Sequence, residues 1–68
     1  MQVTAVLTPA DEGGFVALNP ETGTVSQGDT IEAAIANLRE AVELYLEEFP
    51  MTFHGAAVIT SFEVAVHA

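Results

Sequence analysis

The chain has no cysteine, no tryptophan and no lysine, and Arg39 is its single strongly basic side chain. Each absence removes a class of function. Without cysteine there is no disulfide, no thiolate nucleophile and no Cys-based zinc site. With ten acidic residues against one Arg, and a formal net charge of −9, nothing in the chain can neutralise a phosphate backbone. Direct binding of RNA or DNA is therefore not expected, whereas attraction to a basic protein is available. No run of eighteen consecutive apolar residues occurs, and residues 1–7 lack the basic flank and long apolar run of a signal peptide. The expectation is a cytoplasmic protein with no membrane partner.

What is present is apolar. Half of the 68 residues are hydrophobic, which excludes a disordered acidic tail despite the charge. The length implies one domain over residues 1–68. A domain of this size buries only about 60% of its unfolded surface, so a lone copy is marginal and self-association, as a dimer or tetramer, is expected.

The chain is organised around residues 26–49. Gln27-Gly28-Asp29-Thr30 leads into a helical pattern from Ile31 to Leu46. Gly28 can take a positive φ to turn the chain, and either Asp29 or Thr30 can cap the first turn. Glu32 adds negative charge where the helix dipole favours it. At 100° per residue, Ile31, Ile35, Leu38, Val42, Tyr45, Leu46 and Phe49 fall on one stripe, and Pro50 stops the helix. The opposite face carries Glu40, Glu43 and Glu47, among Ala33, Ala36, Asn37 and Leu44. Such an acidic ridge is either a solvated face or a surface for a basic partner.

Before the helix, Val3, Ala5 and Leu7 alternate with Gln2, Thr4 and Thr8, the period of a half-buried strand, and Pro9 ends it. Asp11, Glu12, Gly13 and Gly14 form a turn into a second strand, Phe15-Val16-Ala17-Leu18, paired as an antiparallel hairpin. A second turn through Pro20 and Gly23 leads to a short polar strand, Thr24-Val25-Ser26-Gln27, suited to a sheet edge. After the helix, residues 57–67 read as a long strand with Val58, Phe62, Val64 and Val66 on one side. The plan is α+β in the order β-β-β-α-β: an antiparallel meander, a crossover helix on one face, and a last strand parallel to the first. The uncovered sheet face would hold Val6, Ile59 and either Phe15 or Val16 with Leu18.

No catalytic constellation emerges, and the expectation is a protein that is not an enzyme and holds no cofactor. The acids sit in a turn or on an exposed helix face, where ordinary solvated carboxylates belong. His54 and His67 lack metal-ligand spacing. Ser26 and Ser61 have no nucleophile turn, and Gly13-Gly14 lacks the Lys and following helix of a phosphate loop.

An ordered set of pieces runs through the first two thirds of the chain. It comprises Asp11-Glu12-Gly13-Gly14-Phe15, then Pro20 and Gly23, then Gln27-Gly28-Asp29-Thr30, then Ala34, Asn37, Glu40 and Ala41 on the helix. This set resembles the N-terminal domain of the HicB antitoxin family. The resemblance implies a partial ribonuclease-H-like fold that binds and masks a small basic HicA-type ribonuclease by protein–protein contact. Most members continue into a DNA-binding domain that these 68 residues do not include, so operator binding is not expected of them. Metal-dependent nuclease activity is opposed by the residues, because residues 2–8 of the first strand contain no acid. From charge rather than from a family motif, Asp11, Glu12, Glu40, Glu43 and Glu47 are the candidate partner-binding positions. The competing reading is an orphan homo-oligomeric module of the same fold with no toxin partner.

Overall fold

A computed structural model describes residues 1–66 of the chain. Three strands, β1 (Val6–Pro9), β2 (Phe15–Asn19) and β3 (Thr24–Gly28), form an antiparallel sheet in that order, followed by one helix, α1 (Ile31–Glu48). The fold is thus α+β, with the expected meander and helix. The first strand pairs later than the alternation suggests. Val6 faces Leu18 and Pro9 faces Phe15, so Pro9 is the strand's last residue rather than its stop. Before Val6 the ladder gives way to side chains: the Asn19 amide donates to the Thr4 carbonyl, and the Thr4 N–H donates to the Glu21 carboxylate.

The β2 alternation settles which residues face the helix. Ala17 and Asn19 are buried and Phe15 packs with Ala5 and Leu7 against the core, so Val16 and Leu18 take the uncovered face. The register lines up Val6, Leu18 and Val25 across that face. The core itself is small: Ala17, Ala34, Leu38 and Val42, flanked by Ala5, Leu7, Phe15 and Leu46.

Two glycines explain how α1 comes so close to the sheet. Gly28 does not have a positive φ, contrary to the expectation that it turns the chain. Its missing side chain is what counts, because a Cβ there would overlap the Ala34 backbone nitrogen and sit 2.7 Å from the Ala33 carbonyl carbon. Gly14 has φ +76° and faces the same point from the hairpin, where a Cβ would lie 2.7 Å from the Gly28 oxygen. Packing this tight buries Ala34 completely and draws the buried line of α1 toward Ala34, Leu38 and Val42. Ile31, Ile35 and Phe49, expected on the buried stripe, are consequently exposed.

Thr30 is the cap of α1. Its hydroxyl accepts from the Ala33 N–H at 3.0 Å, while its backbone stays extended. Asn37 ties the helix to the sheet by donating to the Gln27 carbonyl at 2.8 Å. At the far end the Phe49 N–H donates to Tyr45, and the residue before Pro50 leaves the helical region, as proline requires of its predecessor.

The fourth strand requires correction. Residues 57–66 form no strand and pair with neither β1 nor any other described segment, and Val58, Phe62 and Val66 are 90%, 84% and 85% exposed. His67, placed at the end of that strand by the sequence, lies outside the described residues. The physical reason lies in where the chain is anchored. Ala57 is held beside Thr4 and Glu21, and every described residue after it is exposed. The radius of gyration is 14.1 Å, against about 11 Å for a compact chain of this length, which measures how far the segment departs from the body.

Candidate functional site

The five acidic positions singled out from the sequence do not gather in one place. Asp11 and Glu12 are exposed in the β1–β2 turn, which is closed by bonds between Ala10 and Gly14 and between Gly13 and Ala10. Glu12 borders a shallow depression with Gln27, Gly28, Asp29 and Asn37, near the start of α1. Glu40, Glu43 and Glu47 are exposed on α1, spaced by three and four residues, so they share one side of the helix. The ridge is less continuous than the sequence implies, because Asn37 is engaged with β3 and Ala33 is half-buried. Leu44 stands out among the acids at 58% exposure.

The side of α1 bordered by Glu43 and Arg39 opens into a groove between the helix and residues 1–5, with Ile35, Leu38, Val42 and Leu46 along its floor. It is mostly apolar, with a volume of about 530 Å³. These four residues belong to the stripe that periodicity assigned to the core. The sheet covers only part of it, and the groove is the remainder.

A second cluster was not anticipated, and it gathers most of the side-chain hydrogen bonds among the described residues. The buried Asn19 donates to the Thr4 carbonyl and to Glu21, both at 2.8 Å, and accepts from the Thr22 N–H and hydroxyl at 2.9 and 2.6 Å. All the hydrogen-bonding capacity of that amide is thereby used. Glu21 accepts from the Thr4 N–H at 2.8 Å, from the Thr4 hydroxyl at 2.7 Å and from the Ala57 N–H at 2.7 Å. These donors stabilise the charged carboxylate, with the Thr4 N–H first, and hold its pKa at about 2, below the ordinary 4.5. One carboxylate thus joins the start of the chain, the β2–β3 turn and the segment after α1. The available signal was the N-P-E-T run at the end of β2, which looks like any polar turn until its long-range partners are known.

Known proteins place the chain more firmly than its surfaces do. It is 38% identical to a UPF0150 protein of Helicobacter pylori over an alignment covering 96% of this chain and 97% of that one. The chain belongs to the UPF0150 family. Two UPF0150 proteins of Synechocystis agree, at 42% identity over 69% of this chain and 67% of the relative, and at 49% over 65% and 57%. No family model matches the sequence. Nor does any solved structure match it.

In this UPF0150 chain no group of three or more His, Cys, Asp or Glu among the described residues is arranged to hold a metal ion. His54 is exposed in the connection after α1. No helix among the described residues is long and apolar enough to cross a membrane. What the geometry offers is surface: an acidic helix face, an apolar groove beside it, and a polar anchor where the C-terminal segment leaves the body.

Proposed function

We propose that this UPF0150 chain is a HicB-like module that binds and masks a small basic ribonuclease of the HicA type by protein–protein contact, working in the cytoplasm and without catalysis of its own. The observation that carries the reading is the exposure of Glu40, Glu43 and Glu47 along one side of α1, on a chain whose formal charge is −9. A field of one sign attracts a basic partner over distance and raises the encounter rate. The ordered Gly-Gly-Phe and Gln-Gly-Asp-Thr pieces support the same reading, since Gly14, Gly28 and Thr30 are each tied to the packing or capping of this fold.

The test is binding to a HicA-type ribonuclease measured by stopped-flow association and by inhibition of RNA cleavage. Binding is expected at low ionic strength with an association rate that falls as salt rises. The triple substitution Glu40→Lys, Glu43→Lys and Glu47→Lys should slow association by about tenfold or more. Unimpaired cleavage at saturating, low-salt concentrations of the folded chain would overturn the proposal. The alternative, a module that assembles only with its own copies, draws on the exposed apolar segment after Ala57.

A further inference from the structure

We propose that residues 57–66 of one chain form the missing fourth strand of a second copy, lying along the free edge of β1 and over the groove of α1, with the exchange made in both directions. The inference does not rest on the toxin-binding reading. Three observations lead to it.

The first is a surplus on the segment. Val58, Phe62, Val64 and Val66 alternate along it, and all four are at least two-thirds exposed, with Val64 the least at 68%. A period of two puts them on one side of an extended strand, which is the pattern of a strand with one buried face. The second is a matching deficit on the body. β1 is an edge strand of the sheet among the described residues, and the residues that lead into it, 1–5, line the groove with Ile35, Leu38, Val42 and Leu46 of α1, of which Ile35 is exposed. An edge next to an apolar groove is a template for one more strand, since the edge supplies backbone bonds and the groove takes alternate side chains.

The third observation concerns which copy supplies the strand. The chain's own segment borders none of its own groove, which is lined by residues 1–5 and α1. It is instead clamped at its root, where Ala57 donates to Glu21 and accepts from the Thr4 hydroxyl, and beyond that root every residue to 66 is exposed. A segment fixed at one end and projecting from the body reaches a neighbouring molecule. Each copy has one segment and one groove, so a two-fold exchange satisfies both and closes at a dimer. The chain is also small enough that the added core would raise its stability appreciably.

The test uses the full chain. Sedimentation at tens of micromolar is expected to give twice the 7.1 kDa chain mass. In a sample mixing isotope-labelled and unlabelled chains, contacts from Phe62 and Val64 to Leu38, Val42 or Leu46 should appear between chains. Phe62→Asp with Val64→Asp should lower the dimer affinity by about 100-fold or more while the amides of β1, β2 and β3 stay protected from exchange. Val25→Asp, on the opposite sheet face, should leave the dimer intact. A monomer at these concentrations overturns the proposal, as does a dimer in which those contacts are only within one chain. Should the double variant fail to fold, the mixed-label contacts in the unaltered protein still decide.

Discussion

β2 and the segment 57–66 are both predominantly apolar and rich in strand-forming residues, yet one is the centre of the sheet and the other meets mainly solvent. The difference lies in connection and landing site. β2 is flanked by turns of five and four residues, 10–14 and 20–23, so little chain entropy opposes its pairing with β1 and β3. The C-terminal segment follows an 18-residue helix and a connection, and it is fixed at Ala57 before its apolar residues begin. Alternation tells which side chains share a face. It does not tell which surface they will meet.

Truncating one buried side chain of the core and one exposed side chain of the segment 57–66 should give opposite results. Leu38, 4% exposed at the centre of the core, should lose about 2–5 kcal/mol on replacement by alanine, through lost burial and the cavity left behind. Phe62→Ala should change the stability of dilute, monomeric chains by less than about 0.5 kcal/mol, as for other exposed positions. Urea unfolding followed across a range of protein concentrations separates the two: the Leu38→Ala loss is present at every concentration, and any Phe62→Ala loss grows as the protein is concentrated. Equal losses in dilute solution would mean that the segment packs within its own chain.

Gly28→Ala is expected next in size, at about 1–3 kcal/mol and toward the upper end, because the added carbon meets backbone atoms of Ala33 and Ala34 that have no rotamer to change. Gly13→Ala is the control. No atom lies within 4 Å of a Cβ at Gly13, so only the strain of its φ of +98° is left. Thermal unfolding of the two variants should therefore rank Gly28→Ala as the more damaging. The opposite order would show that the approach of α1 to β3 is looser than the geometry gives.

The part of the fold legible in the sequence is the part held by local chemistry. Gly-Gly before Phe15, the short turns and the Asp-Thr pair before an apolar period are enough to order three strands and a helix. What remained illegible depended on distant partners. Ala34 is buried rather than Ile31 because Gly28 stands opposite it, and Asn19 and Glu21 become structural because Thr4 and Ala57 arrive beside them. The five acidic candidates were visible by charge alone, but their division between a hairpin turn and a helix face is a matter of folding.

The polar anchor separates the two regions by pH. Glu21 has a folded pKa near 2 against an ordinary 4.5, so the unfolded chain takes up its proton first as acid is added. Its contribution to stability is complete above about pH 4.5 and is lost as the pH falls toward 2. Glu21→Gln should be less stable than the unaltered chain at pH 7, since an amide cannot accept at both ends, and the gap should narrow steadily below pH 4.5. Hydrogen exchange adds the comparison: in acid the Ala57 amide should lose protection before those of β2 do. Simultaneous loss would mean that the anchor and the sheet open as one unit.

The smallest expected effect tests the well-packed region alone. Thr30→Ala removes the hydroxyl that accepts from Ala33 and leaves that N–H to solvent, which should cost about 1 kcal/mol. Asp29, exposed one residue earlier, should cost less than about 0.5 kcal/mol on the same replacement. Neither change touches the groove or residues 57–66, so neither should alter the mass measured by sedimentation. If Asp29→Ala proved the costlier of the two, the helix would start one residue earlier. The register that sets Gly28 against Ala34 would then have to shift as well, because both are counted from the same first turn.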